Sequence, residues 1–171
     1  MKRRLVTAVL VSLLAAAATP ATDATDGPKK IFQDDLLERL VGQWTITRKI
    51  RGTETQSRAT ARWVLHHQFL EIHLKDVAKP SAYEAIVLIG FRHADQKYVI
   101  HWCDTFGGKF SSRGLGRREG NAIAFEFPYE DGPFYNTFTF NRESGSWTSL
   151  MENSGEGGKR VFFAEDTYRR P

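Results

Sequence analysis

Two acidic residues, Glu84 and Asp104, lie in neighbouring apolar segments and are the strongest candidates for chemistry in this sequence. The segments read YEAIVLIGF and KYVIHWCDTF, with Trp102 two residues before Asp104. Two carboxylates that face one apolar interior repel each other, and such a pair can act as general acid and base. The same carboxylates can also orient the amine or hydroxyl of a bound ligand, or cap backbone amides at a rim. The sequence alone leaves these three interpretations open.

The histidines and the glycine-rich segments form no recognisable catalytic or metal-binding motif. No two histidines have the HExxH spacing or another compact metal-ligand spacing, so we expect neither a metal nor a cofactor. The segment NSGEGGKR has Arg160 where a phosphate-binding loop requires Ser or Thr. The single cysteine, Cys103, cannot form an internal disulfide, and its apolar neighbours favour a buried position. A binding protein is therefore favoured over an enzyme.

One short helix followed by strands is the arrangement that the apolar spacing predicts. Between Ile31 and Val41 the apolar residues recur at helical spacing, Asp34 and Asp35 lie in the first turn, and Gly42 can end the helix. After Gly42, about nine or ten runs rich in Val, Ile, Thr, Phe and Tyr alternate with turn residues. Short connections make neighbouring strands antiparallel, and a long meander with uncovered edges tends to close on itself. The sequence therefore predicts an all-β, up-and-down antiparallel barrel of 9–10 strands preceded by one short helix.

The alternation of apolar residues predicts which side chains point into this barrel. If each hairpin is centred on its turn, one face is mostly apolar. That face comprises Leu70, Ile72, Leu74, Glu84, Ile86, Leu88, Ile100, Trp102, Asp104, Ser112, Gly114, Ile123, Phe125, Phe127, Phe134, Asn136, Phe138 and Phe140. The opposite face carries His73 and His101.

A barrel of this size can hold one small ligand, although aromatic side chains can also simply fill it. If a pocket is present, its apolar wall is predicted to consist of Trp102, Phe125 and Phe138. The polar end of the ligand would then be oriented by Glu84, Asp104 and Asn136.

Gly42 and Trp44 lie where helical spacing changes to alternating spacing. A helix that ends at Gly42, followed by Trp44 in the first strand, would close one end of the barrel with a wide aromatic ring. This Gly-x-Trp motif resembles the lipocalin and calycin group, in which it lies at the same place. In that group an Arg or Lys of the last strand often packs on the tryptophan. The resemblance implies that role for one of three residues, Arg160, Arg169 or Arg170.

A closer resemblance extends from Ile31 to about Tyr168. The segments LVGQW, RWVLHHQFLEIHL, YEAIVLIGF and KYVIHWCDTFGG resemble the bacterial domain-of-unknown-function family numbered 1579. The chain differs from the usual pattern at Ala85, where that family has Gly, and at Phe91 and Arg92, where it often has Tyr-Asp. The resemblance implies a lipocalin-like barrel that frequently carries a secretion signal, and it implies no reaction.

The first residues have the features of a cleavable secretory signal. Lys2, Arg3 and Arg4 precede an apolar run at 5–18, and the small residues that follow allow cleavage after Ala18, Ala21 or Ala24. We predict a signal peptide at 1–21, a flexible leader at 22–30 and the barrel domain at 31–171. The mature protein would then be periplasmic or secreted, with no stable membrane anchor.

The charge of the predicted mature chain is nearly balanced. The formal net charge of +4 includes three charges of the signal, so about +1 remains, and basic residues are scattered among acidic ones. A nucleic-acid partner requires a basic stripe, and the sequence argues against one.

These features predict a secreted or periplasmic barrel that binds a small apolar or amphipathic ligand, as a monomer or a homodimer. Two alternatives remain at this stage. One is a small isomerase or hydrolase that uses Glu84 and Asp104 as an acid–base pair, and the other is an interaction module of the cell envelope that uses its outer surface. The orientation of Glu84 relative to Asp104 tests the enzyme directly.

Overall fold

The structure, a computed structural model, describes residues 31–171. This part of the chain contains one helix, α1 (Asp35–Glu38), and ten strands. The strands are β1 (Gly42–Ile50), β2 (Thr53–Val64), β3 (Phe69–Asp76), β4 (Glu84–Arg92), β5 (Lys97–Asp104), β6 (Arg113–Glu119), β7 (Ala122–Tyr129), β8 (Gly132–Phe140), β9 (Trp147–Ser154) and β10 (Arg160–Arg169). Short turns of 3-10 helix lie at Gly108–Phe110 and Glu156–Gly158. The predicted signal peptide and leader lie outside the described residues.

The ten strands form one closed antiparallel barrel, in which each strand pairs with the next and β1 pairs with β10. The prediction of an all-β, up-and-down barrel with one short helix is confirmed. The seam between the first and last strands runs from the pair Thr45 and Arg169 to the pair Ile50 and Ala164. Closure pairs the backbone groups that an open sheet would leave free at its edges.

The helix is shorter than its apolar spacing predicted. Asp34 Oδ1 accepts hydrogen bonds from the backbone amides of Leu36 at 3.0 Å and Leu37 at 2.7 Å, so it caps the helix and fixes its start at Asp35. Phe32 precedes the helix and is nevertheless buried, with its ring stacked on that of Phe91. The apolar pattern therefore predicted burial correctly while overstating the helical length.

The connections alternate between the two ends of the barrel. At one end, which we call the helix end, lie α1 and the β2–β3, β4–β5, β6–β7 and β8–β9 connections. At the other end, which we call the mouth, lie the β1–β2, β3–β4, β5–β6, β7–β8 and β9–β10 connections. Apolar side chains fill the barrel towards the helix end, including Leu36, Leu37, Leu40, Trp44, Ile46, Leu70, Ile89, Ile123, Phe125, Phe138 and Trp147.

Trp44 lies under α1 and is almost wholly buried. Its Nε1 donates a hydrogen bond to the Leu40 carbonyl at 2.6 Å. The Arg170 guanidinium lies 3.9 Å from the centre of the indole ring and donates to backbone carbonyls of the connection between α1 and β1. Gly42 has a φ of 121°, and a Cβ there would lie 2.3 Å from Arg170 Nη1, so this position favours glycine strongly. Of the three arginines that the resemblance offered for this contact, Arg170 makes it.

The predicted inner face is wrong by one residue on β4. Ala85 pairs with Leu74 and Ile89 pairs with Leu70, which turns Ala85, Val87 and Ile89 inward. The residues that we predicted to face inward, Glu84, Ile86 and Leu88, therefore face outward. The cause is the continuous apolar run of β4, which fits either register and cannot define which side is buried.

Candidate functional site

The interior at the mouth contains a hydrogen-bonded chain of three half-buried side chains, Trp102, Tyr83 and Asp104. Trp102 Nε1 donates to the Tyr83 hydroxyl at 3.1 Å, and this hydroxyl donates to Asp104 Oδ2 at 3.1 Å. Asp104 Oδ1 accepts from the backbone amide of Phe106 at 2.9 Å. Asp76 fixes the position of Tyr83, because its carboxylate accepts a hydrogen bond from the Tyr83 backbone amide at 2.9 Å. Two of the predicted site residues, Trp102 and Asp104, thus meet through a third that was not predicted.

A buried ion pair lies beside this chain. Arg48 Nε and Nη2 each donate to an oxygen of Asp166 at 2.6 Å, across the seam between β1 and β10. The Asp166 side chain is wholly buried, and the Arg48 guanidinium lies 4.8 Å from the centre of the Tyr83 ring. Burial acts to lower the pKa of Arg48, but the hydrogen bonds and charge of Asp166 outweigh it, and the pKa is raised. The interior of the mouth therefore holds a buried ion pair.

Burial raises the pKa of Tyr83, although the charge of Arg48 acts against it. The phenol therefore stays neutral at physiological pH and keeps its hydrogen-bond donor. The Tyr83 hydroxyl is thus a neutral donor between a tryptophan N–H and a carboxylate. A polar atom of a ligand can join this hydrogen-bonded chain or take the place of one of its members.

The hydroxyl of Tyr168 is buried inside the barrel, further from the mouth than Asp166, and no group of the described chain is its hydrogen-bond partner. Tyr168 lies two residues beyond Asp166 on the inner side of β10, and opposite Trp147, whose Nε1 is also unpartnered. Burial raises the pKa of Tyr168 well above its usual value, and the charge of Asp166 acts in the same direction, so the hydroxyl is a neutral donor. An unpartnered buried hydroxyl costs about 1–3 kcal/mol.

Three predicted site residues, Phe125, Asn136 and Phe138, lie deeper and are packed. Each is 1% exposed, and the two phenylalanine rings meet edge to face with their centres 6.2 Å apart. Gly116 allows this packing, because a Cβ there would lie 2.5 Å from the Phe125 ring. Asn136 Oδ1 accepts a hydrogen bond from the Ser149 hydroxyl at 2.7 Å. These side chains fill the barrel at this depth, whereas Trp102 and Asp104 remain accessible from the mouth.

Glu84 lies on the outer face, so the predicted meeting of Glu84 and Asp104 inside the barrel is wrong. Its carboxylate lies 2.9 Å from Lys75 Nζ and 2.6 Å from His73 Nε2. The hydrogen bond from Lys75, followed by that with His73, lowers the pKa of Glu84. Asp104 instead lies opposite Ala85. The acid–base alternative needs both carboxylates on one face, and this geometry removes it.

Cys103 is exposed, so the prediction that it is buried is wrong. Its neighbours Trp102 and Asp104 point inward, and the alternation of β5 turns the thiol outward, opposite Ile86 in register. Apolar neighbours in the sequence belong to the other face of the strand and do not shield it.

A depression of about 270 Å³ lies at the mouth and another of about 380 Å³ at the helix end. The first is lined by Glu84, Ala85, Ile86, Cys103, Asp104 and Thr105. The second is lined by Ile31, Phe32, Gln33, Asp34, Phe91, His93, Gln96 and Tyr98. The depression at the mouth lies on the outer surface of β4 and β5, because Glu84, Ile86 and Cys103 point outward, and Asp104 is the one of its lining residues that belongs to the hydrogen-bonded chain.

Sequence reasoning missed Arg48, Tyr83, Asp166 and Tyr168. A signal for two of them was present, because Arg48 continues the inward alternation that begins at Trp44, and Asp166 lies two residues before the apolar position of Tyr168. The inward charges of Arg48 and Asp166 can be recognised as an ion pair only when β1 is known to pair with β10.

Among residues 31–171, no group of three or more His, Cys, Asp or Glu side chains is placed to bind a metal ion. Nor does the described chain contain a helix with the length and apolar composition needed to cross a membrane.

Comparison with known proteins gives a family and no activity. The family described as "Protein of unknown function (DUF1579)" matches residues 32–170, which include α1 and all ten strands. No curated protein matches the chain significantly in sequence. Any functional conclusion therefore depends on the geometry of the mouth.

Proposed function

Because the chain belongs to the DUF1579 family, whose description names no activity, we propose a function from the site itself: the protein binds a small amphipathic molecule at the mouth. One observation carries this proposal: deeper in the barrel than the Arg48–Asp166 pair, two residues along β10 from Asp166, the Tyr168 hydroxyl is buried and unpartnered. In the proposed complex, an oxygen atom of the ligand accepts the hydrogen bond that Tyr168 offers. The ligand thereby removes the penalty of leaving this hydroxyl without a partner.

The mouth also offers surfaces for the two chemically different parts of such a ligand. Tyr83 and Asp104 present polar atoms next to the half-buried indole of Trp102. Another group of half-buried rings lies on β7, β8 and β10, where the Phe134 ring centre is 6.3 Å from that of Tyr129 and 5.6 Å from that of Phe163. Aromatic rings beside a few fixed polar groups are typical of small-molecule sites. We propose that the rings contact the apolar part of the ligand while the polar atoms orient its head.

The substitution Tyr168→Phe tests this proposal because its two expected effects have opposite signs. We expect the free energy of unfolding to rise by about 1–2 kcal/mol, since an unpartnered buried hydroxyl is removed while the ring is kept. We expect affinity to fall about tenfold, since one hydrogen bond to the ligand is lost. Urea unfolding measures the first effect. Tryptophan fluorescence titrated with a panel of fatty acids and flat aromatic probes measures the second.

Tyr98→Phe is the matched control, because the Tyr98 hydroxyl donates to Asp34 at the helix end. This variant should lose stability and bind probes normally. A Tyr168→Phe protein that binds every probe as tightly as the unmodified protein would overturn the proposal. Native mass spectrometry of the purified protein then identifies the molecule that co-purifies with it.

We also propose that the barrel acts in the periplasm or outside the cell. The support is the basic start of the chain followed by the apolar run at 5–18. N-terminal sequencing of the protein from fractionated cells tests this. The expected first residue of the mature chain is Thr19, Thr22 or Thr25. A protein that retains Met1 and stays in the cytoplasmic fraction would contradict it.

A further inference from the structure

The exposed apolar side chains of residues 31–171 are concentrated at the mouth. Eight large apolar side chains are exposed in this part of the chain, and five of them lie in connections or at a strand start at the mouth. These five are Val77, Phe106, Phe110, Val161 and Phe162. Phe106 is the most exposed, at 69%.

Positive charge accompanies these side chains. A lysine lies in each connection that carries or adjoins them: Lys79 between β3 and β4, Lys109 between β5 and β6, and Lys159 between β9 and β10. Lys109 Nζ lies 5.3 Å from the centre of the Phe110 ring, so charge and ring share one location.

Acidic residues at the mouth are distributed differently. The β7–β8 turn contains Glu130 and Asp131 and has no exposed large apolar side chain. Asp76 and Asp104, which end β3 and β5, and Glu156 also lie beside the exposed apolar side chains. The carboxylates of Asp76 and Asp104 accept hydrogen bonds from within the protein, so the apolar and basic tips coincide and two of these three acids are directed inward.

The three connections are spread around the ring of ten strands. The β3–β4 and β5–β6 connections are neighbours, while the β9–β10 connection is separated from them by the β7–β8 turn on one side and the β1–β2 turn on the other. Apolar tips separated around a polar opening do not form one continuous patch for a rigid protein partner. A fluid planar surface can contact all of them at once.

We propose that the mouth docks on an anionic lipid surface. Val77, Phe106, Phe110 and Phe162 enter the boundary between headgroups and acyl chains, and Lys79, Lys109 and Lys159 contact the negatively charged headgroups. Peripheral proteins bind membranes through this combination of buried apolar area and electrostatic attraction. The proposed ligand would then pass from the bilayer into the mouth without crossing water, a consequence that rests on the proposed function, whereas docking itself does not.

Co-sedimentation of the mature protein with vesicles tests the docking. We compare vesicles of phosphatidylcholine with vesicles of phosphatidylcholine and phosphatidylglycerol in equal amounts. The partition coefficient is expected to be at least about tenfold higher on the anionic vesicles and to fall as salt is added. The double substitution Phe110→Ser with Phe162→Ser should lower partitioning about tenfold on both kinds of vesicle. Replacing Lys109 and Lys159 by Gln should lower it on the anionic vesicles alone.

Leu65→Ser is the matched control, because Leu65 is 63% exposed at the helix end. This variant should bind vesicles as the unmodified protein does. Equal partitioning of the phenylalanine variant and the unmodified protein would overturn the docking proposal. A second result would also overturn it: the unmodified protein does not bind vesicles but forms a dimer, detected by light scattering, and the phenylalanine substitutions dissociate this dimer.

Fluorescence titration with soluble probes separates this proposal from the proposed function. The vesicle variants change exposed tips and should keep normal affinity for soluble probes. An unmodified protein that binds probes and does not bind vesicles refutes docking alone. Vesicle binding without any probe binding refutes the proposed ligand site alone.

Discussion

The helix end and the mouth are built from different side chains, although the same ten strands form both. At the helix end, Leu36, Leu37 and Leu40 are wholly buried and the polar atom of Trp44 has a partner. At the mouth, the interior holds the ion pair of Arg48 and Asp166 together with the half-buried polar atoms of the hydrogen-bonded chain at Tyr83. One end is arranged as a core and the other as a site.

The energies of the two ends differ accordingly. Each fully buried leucine of the helix end contributes roughly 1.5–3 kcal/mol. The ion pair at the mouth contributes little net stability, because desolvation offsets most of the attraction between Arg48 and Asp166. We infer that packing at the helix end supplies most of the stability of the barrel. The mouth can therefore keep polar and charged groups that add little to that stability.

The largest effect is expected from breaking the ion pair on one side only. Asp166→Ala leaves the Arg48 guanidinium charged and largely buried without its partner. We expect the free energy of unfolding to fall by about 3–5 kcal/mol in urea denaturation.

Replacing both partners separates structure from function at the mouth. The double variant Arg48→Met with Asp166→Leu should unfold at a urea concentration close to that of the unmodified protein, because neither charge remains buried. Its affinity for probes should nevertheless fall. A double variant as unstable as Asp166→Ala would mean that the mouth also stabilises the fold, and the contrast between the two ends would be lost.

The next largest effect concerns the helix end. Leu37→Ala removes a wholly buried side chain from beneath α1 and should lower the free energy of unfolding by about 3 kcal/mol. Probe affinity, measured well below the melting temperature, should stay unchanged because the substitution is remote from the mouth. A matching loss of affinity would show that the two ends are coupled.

The smallest effect is expected on the outer face. Glu84→Gln should leave both the melting temperature and probe binding unchanged within error, because the side chain contacts only Lys75 and His73 at the surface. Loss of binding in this variant would restore Glu84 to the site and contradict the outward orientation of its strand.

The fold could be predicted because helical and alternating patterns are local properties of the sequence. The Gly42–Trp44 motif and the turn residues were sufficient for a closed meander with one helix. The orientation of β4 was not evident, since Ile86 and Leu88 face outward and are as apolar as Val87 and Ile89, which face inward. The length of α1 depended on the capping contact of Asp34, which fixes where the helix starts and leaves it shorter than its apolar spacing suggests.

The candidate site was predicted in part, and the residues that were missed depend on contacts between distant parts of the sequence or on loop hydrogen bonds. Trp102 and Asp104 lie at the mouth, as alternation along one strand indicates. The pairing of Arg48 with Asp166 depends on strands from opposite ends of the domain meeting at the seam. Tyr83 lies outside β4 and is positioned by the hydrogen bond that its amide donates to Asp76, a contact that no periodicity reveals.

The seam between β1 and β10 determines when the barrel can form. Every other strand pair joins neighbours in the chain, so those hairpins can assemble while the polypeptide is still being synthesised. Arg48 and Asp166 are 118 residues apart, and contacts between such distant residues slow folding because a long loop must close first. Until the last strand arrives, the nascent sheet keeps two free edges that can pair with another chain. The growing polypeptide is therefore most prone to aggregate shortly before its synthesis is complete.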